Sequence, residues 1–143
     1  PGITLAVMVA DCIPLLLKSK GAVASVHVGR KGLVNAVAEK AIEVMREISS
    51  AEISATIGPA ICGSCYEVSE EIFNEVTASH PESASKTQQG TPALDLIKAL
   101  IKVLQNLEVT KIDNQSRCTH ENEDLYSYRR DRITGRQAGL VWL

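Results

Sequence analysis

Strand-like and helix-like stretches follow one another along this chain, and they predict an α/β fold in which helices cover a sheet. Three observations carry that expectation. Residues 3–10 (ITLAVMVA), 13–18 (IPLLLK) and 22–28 (AVASVHV) are short apolar runs rich in β-branched types. Leu33, Val37, Ala41, Val44, Met45 and Ile48 then recur at helical spacing, while Asn35, Glu39, Lys40, Glu43 and Glu47 fall mainly elsewhere. The length of 143 residues suits one domain, and such a domain buries roughly 68–70% of its unfolded surface without needing a disulfide or metal to fold.

Taken in order, residues 3–10 read as a strand buried on both faces, since both alternate sets are apolar. A polar turn from Lys18 to Gly21 joins the next two strands. Gly29 and Gly32 bracket a short loop ahead of the helix. Residues 53–57 form a strand that runs into the turn Gly58-Pro59. Ser69 followed by Glu70 and Glu71 marks a helix start, with acidic side chains at its positive end. Residues 79–92 are the one candidate long loop, residues 93–107 a helix, and residues 109–113 a strand. The final GRQAGLVWL returns to a buried strand pattern. The chain shows neither an internal repeat nor a linker.

Fifteen basic and seventeen acidic residues leave a net charge of −2, which provides no general attraction to nucleic acid or anionic membrane. Asp11 and Pro14 interrupt the apolar N-terminal stretch well short of the ~18 residues of a membrane span. Four cysteines are sparse for a secreted disulfide scaffold, so the expected compartment is the cytoplasm. Apolar sequence begins at once, without a polar lead-in, as in a domain cut open at its front.

Asp11-Cys12 and Val26-His27-Val28-Gly29 each set a soft metal ligand at a strand edge, and antiparallel pairing would bring Cys12 and His27 together. A thiolate with an imidazole suits zinc. It also suits a nucleophile pair in which His27 lowers the Cys12 pKa, and a buried cysteine beside an unrelated histidine has the same spacing. Cys62 and Cys65 form a CxxC in GPAICGSCYEV, without the second pair a zinc ribbon needs. Gly63 and Gly58-Pro59 point to a tight loop approaching a ligand closely. Loop cysteines supporting a pocket are the preferred reading there, ahead of a redox pair and then a metal pair. Arg117-Cys118-Thr119-His120 sets another Cys near a His. Ser127-Tyr128-Arg129-Arg130-Asp131 places two arginines beside hydroxyls, where planar guanidinium forks suit phosphate or carboxylate; a solvated turn with surface ion pairs is the plainer alternative.

Together and in this order, ADCIPLLL, VASVHVGRKGLV, ATIGPAICGSCYEV, TPALDL and RCTHENEDLYSYRRDRITGRQAGLVWL resemble the YfiH or laccase-domain family from the first strand to the last residue. The resemblance implies a layered α/β/β/α mixed-sheet fold, in a single domain over residues 1–143 that lacks the family's N-terminal segment. It implies phosphorolysis of purine nucleosides (adenosine, inosine, guanosine and methylthioadenosine) together with adenosine deamination, with purine nucleosides and phosphate as partners. Cys12 and His27 then match the family's metal ligands, for zinc or alternatively copper, and double as catalytic residues. The family's third ligand, an N-terminal histidine, has no counterpart here. Arg129 or Arg130 is the expected catalytic cation, with the choice between them open; Cys62, Cys65 and Cys118 are expected to face substrate or phosphate, and Arg30 either holds phosphate or faces solvent. Arg30 and Lys31 replace the family's usual Trp and basic residue. Arg132 stands where the family's SYRRDG motif has glycine, so a changed turn is expected. Copper-dependent phenol oxidation is the older family description, and His27, His80 and His120 are few histidines for it. A Cys12–His27 thiol hydrolase is a third reading. A fourth is an inactive partial domain, associating with copies of itself through its front strand.

Overall fold

The computed structural model describes residues 2–143. Its first half comprises β1 (Leu5–Val9), β2 (Ile13–Ser19), β3 (Ala22–Val28), helices α1 (Arg30–Val34) and α2 (Val37–Ile48), and β4 (Ser54–Ile57). The second half holds α3 (Glu70–Ser79), a 3-10 turn at Pro81–Ser83, β5 (Ala84–Lys86), β6 (Pro92–Leu94), α4 (Leu96–Asn106), β7 (Lys111–Asn114), α5 (Tyr128–Asp131) and β8 (Gln137–Val141). No described helix is long and apolar enough to cross a membrane.

β2 and β3 form a hairpin, from Ile13 opposite Val28 to Ser19 opposite Ala22. Gly21 turns it with a φ of +85°, a conformation that glycine adopts without a steric cost. β4 adds antiparallel to β2 and β7 parallel to β4, giving a mixed sheet in the order β3-β2-β4-β7. Register puts Leu15 beside both Val26 and Ile57, so their side chains share one face. That face buries Ala38, Ile42 and Met45 of α2 with Leu100 and Leu104 of α4.

The opposite face of the hairpin receives a second ladder, β1 antiparallel to β8. Gly139 permits the approach: a Cβ there would stand 3.2 Å from Leu16 Cδ2 and 3.4 Å from Pro14 Cβ. Helices, four-stranded sheet and β1–β8 ladder therefore stack as α/β/β, the mixed α/β arrangement expected from sequence. The two terminal strands are nonetheless not buried on both faces. Val7 and Val9 point inward, whereas Met8 is 65% and Leu140 51% exposed. A two-stranded ladder lying on one sheet has only one covered face, however apolar its other side.

The expected helix over residues 33–48 is two helices. The chain breaks at Ala36, whose φ is +56°, and α1 begins directly after Gly29, within the expected loop. Residues 79–92 hold the 3-10 turn and most of the β5–β6 hairpin, closed by a 2.6 Å hydrogen bond between the Thr87 and Thr91 hydroxyls. α4 starts at Leu96 rather than residue 93, because Pro92–Leu94 pair with β5 and the Asp95 carboxylate accepts the Lys98 amide at 3.0 Å.

Leu15 is fully buried at the centre of the mixed sheet. Leu15→Ala removes its packing with the helices and leaves a cavity, so urea denaturation is expected to show a loss of about 2–5 kcal/mol.

Candidate functional site

Asp11 joins the motifs that the sequence scatters. Between β1 and β2 it takes a φ of +88°, which Asp tolerates better than most non-glycine residues. Its carbonyl accepts the Ile61 amide at 2.9 Å, drawing in the GPAIC turn. Its carboxylate accepts the Thr119 hydroxyl at 2.7 Å on Oδ1 and the Arg129 amide at 2.6 Å on Oδ2. One residue thus ties together ADC, GPAIC, RCTH and SYRR. Thr119 is fully buried, so its hydroxyl relies on that acceptor.

The next residue, Cys12, lies against Gly29 at the open end of the β2–β3 hairpin, where a Cβ on position 29 would come 2.8 Å from its sulfur. His27 belongs to the same end, paired with Pro14 in β3, and is exposed. Burial pushes the Cys12 thiol pKa up, and the Asp11 carboxylate adds to the rise. Burial likewise raises Tyr66, with Arg30 and Arg129 opposing and Cys12 reinforcing. Arg30, Arg129 and Cys12 therefore each lie within electrostatic reach of Tyr66. The Arg129 guanidinium stacks 5.1 Å from the Tyr66 ring centroid and donates to the Glu67 carbonyl at 2.9 Å. Arg30 pairs with Glu75 at 3.2 Å.

Arg130 is held differently. Its guanidinium donates to the carbonyls of Thr119, Asn122 and Leu125 at 2.8–3.1 Å and pairs with Asp131. It shapes the RCTHENED loop from within. Arg132 has a glycine-like backbone: its φ is +62° and ψ −59°, and the Ile133 amide reaches the Asp131 carbonyl at 2.6 Å. This is a tight γ-turn, rare and strained for a residue with a side chain. Arg132 thus stands at a positive φ of the kind glycine adopts without strain.

A cavity of about 410 Å³ opens beside this region, its lining including Cys65, Glu67, Gln88, His120, Glu121 and Arg129. Cys62, Cys65, Cys118 and Glu121 converge at its edge, with ligand atoms all within 4.8 Å of one another. They form a group able to hold a metal ion, and neither Cys12 nor His27 belongs to it. All four cysteines are free thiols. Gly63 does make a close approach, but to its own chain: a Cβ there would lie 2.8 Å from Asp95 Cβ and 2.9 Å from Ser85 Oγ.

Sequence reading thus left Tyr66, Glu121, Thr119 and the bridging role of Asp11 unassigned. Asp11 and Tyr66 stood beside the chosen cysteines in ADC and CYEV, which is the signal that could have found them.

Asp11→Ala strands the buried Thr119 hydroxyl and puts Ala at a positive φ. Denaturant unfolding is expected to show a loss of about 1–3 kcal/mol, with Asp11→Asn milder because Asn keeps an acceptor and tolerates that backbone. Arg132→Gly relieves the γ-turn and should raise stability by roughly 1 kcal/mol in the same assay.

The profile of the multi-copper polyphenol oxidoreductase laccase family matches residues 1–143. The chain is 45% identical to a purine nucleoside phosphorylase of Corynebacterium glutamicum, covering 99% of this chain and 59% of that protein. It is 37% identical to the purine nucleoside phosphorylase YfiH of Escherichia coli, covering 100% of this chain and 60% of that one. Among solved structures, Neisseria meningitidis protein NMB0706 matches with a TM-score of 0.86 at 33% identity, over 98% of this chain and 60% of its own. YlmD of Geobacillus stearothermophilus gives 0.85 at 30%, over 97% and 56%. The chain spans about 60% of the length of the curated relatives it matches. On the profile match, these relatives and the shared fold, it belongs to the YfiH-like laccase-domain family.

Proposed function

We propose that these residues form part of a zinc-dependent purine nucleoside phosphorylase acting on adenosine, inosine, guanosine and methylthioadenosine, with adenosine deamination as a second activity. The observation that carries this reading is the Arg129–Tyr66 stack, which stands within reach of Cys12 and opens onto a cavity. The names of the relatives supply the substrate class.

Cys12 and His27 suit zinc in kind, being a thiol and an imidazole at one end of a hairpin, and the lack of a side chain at Gly29 makes room for the sulfur there. Burial keeps the Cys12 thiol protonated, so binding a metal would release its proton. A third protein ligand, on this reading, comes from the part of the relatives that this chain does not span. Zinc bound there would supply Lewis-acid polarisation and an activated water for deamination. Copper fits less well, given three histidines in the whole chain.

Phosphorolysis asks mainly for positioning and charge. A phosphate oxygen bonds to C1′ as the C1′–N bond breaks, and the base departs with the electron pair and takes up a proton. Arg129 is the cation placed to orient phosphate. One of its five N–H donors is committed to Glu67, and stacking on Tyr66 holds the guanidinium plane facing the cavity wall. Arg130, whose donors go to loop carbonyls and Asp131, serves the site by shaping that loop. Arg30 shares its charge with Glu75, adding to the positive surroundings of Tyr66.

The test is phosphate-dependent inosine turnover by the zinc-loaded protein. Arg129→Ala should raise the phosphate KM by about 10- to 100-fold while the fold persists, as expected for a lost charged hydrogen bond. Arg130→Ala should chiefly lower the melting temperature. Chelation should remove turnover and zinc restore it; activity that survives chelation would assign Cys12 as a nucleophile instead.

A further inference from the structure

We propose that Cys62, Cys65, Cys118 and Glu121 form a second, closed zinc site that clamps the GPAICGSC turn to the RCTHE loop and sets one wall of the cavity. This goes beyond the proposed activity and does not depend on the Cys12–His27 reading.

Backbone geometry alone assembles the donors. The amides of Cys65 and Tyr66 both reach the Cys62 carbonyl, at 3.1 and 3.0 Å, so Cys62 and Cys65 project from one tight turn. A parallel bridge between Ala60 and Cys118 brings in the third thiol, through Ala60 N–H to the Arg117 carbonyl at 3.1 Å and Thr119 N–H to the Ala60 carbonyl at 3.2 Å. Glu121 follows on the same loop and accepts from the Cys65 thiol at 3.4 Å. The Cys62 amide points at the Cys118 sulfur at 3.4 Å, the kind of outer partner that steadies a metal-bound thiolate.

Zinc–sulfur bonds of about 2.3 Å give tetrahedron edges near 3.8 Å. Ligand atoms already within 4.8 Å of one another need to close by only about an ångström to meet those edges. Glu121 is exposed, so its side chain is free to make the adjustment. Four protein donors complete the coordination, which marks a structural rather than a catalytic site. A dithiol redox pair would need only Cys62 and Cys65; it gives no use to the third thiol or to the carboxylate. No electrons move: zinc exchanges for the protons of three thiols, which pass to solvent, and the resulting net charge of about −2 lies along the same cavity wall as Arg129.

The experiment adds cobalt(II), then zinc, to the reduced, metal-free protein and to Cys12→Ala, Cys118→Ala and Glu121→Gln variants, with circular dichroism as the check on folding. The sulfur-to-cobalt charge-transfer band grows with the number of thiolates bound. Cys12→Ala, which leaves only the second site, should show a three-thiolate band, and Cys118→Ala should lose about a thiolate's share of the wild-type band. Zinc binding to Cys12→Ala should release on the order of three protons per metal. Glu121→Gln, a change on an exposed side chain, should keep the fold and weaken zinc by at least about tenfold, since even outer-shell partners of a metal are worth that much. A band abolished by Cys12→Ala would overturn the site. So would zinc affinity unaffected by Glu121→Gln, or a Cys62–Cys65 disulfide forming with no metal uptake.

Discussion

Asp11 accepts the Thr119 hydroxyl on one carboxylate oxygen and the Arg129 amide on the other, while its carbonyl accepts the Ile61 amide. Each bond crosses a long stretch of chain, and each closes a loop that would otherwise lose entropy without compensation. The bend at Asp11 also passes the chain from the β1–β8 ladder to the mixed sheet, so one residue both joins the two ladders and ties in the Ile61, Thr119 and Arg129 segments. Its positive φ is tolerable because the surrounding hydrogen bonds determine it several times over.

From that junction the placement of the site follows mechanically. Cys12 is the residue after Asp11, so the bend that serves the loops also lays its sulfur against Gly29. Arg129 lies in the first turn of the short α5 helix with its amide on the Asp11 carboxylate, and its guanidinium reaches back over Tyr66. Arg130, the next residue, turns the other way and gathers the carbonyls of the RCTHENED loop. Two adjacent arginines of identical chemistry thereby take different work, one facing a cavity and the other forming the inside of a loop.

The parts of the fold that local pattern governs were legible. The β2–β3 hairpin appears where apolar runs flank Lys20-Gly21, and α3 starts at Ser69, whose hydroxyl accepts the Ile72 amide at 3.3 Å. What escaped was decided at a distance. Residues 5–10 and 138–143 are apolar on both alternations, yet β1 and β8 each bury one face because their partner is the opposite end of the chain. Residues 79–92 look like loop by composition, but Thr87 and Thr91 fold them into a hairpin whose second strand delays α4. The break at Ala36 interrupts an unbroken helical period, with no glycine or proline to announce it. In the site, Cys12 and His27 were visible as motif residues. The meeting of Cys62 and Cys65 with Cys118 and Glu121 was not, because a CxxC without a second CxxC carries no signal for donors contributed by another loop.

Chain connectivity links the thiol group to the Arg129 guanidinium. Tyr66 directly follows Cys65, its amide is part of the turn that presents Cys62 and Cys65, and its ring is the platform on which Arg129 rests. Glu67, whose carbonyl takes an Arg129 N–H, follows in turn. A displacement of the cysteine turn therefore moves both supports of the guanidinium together. Asp11 fixes the Arg129 backbone, and the cysteine turn fixes its side chain; these are separate constraints on one charge. An arginine held at only one end samples many rotamers, which costs about 2 kcal/mol of side-chain entropy when a ligand must order it. Held at both ends, it would meet the phosphate of the proposed reaction already oriented. On the proposed function, the conformational order of the GPAICGSC turn would thus set how tightly Arg129 grips an anion, even though no atom of Cys62 need touch one.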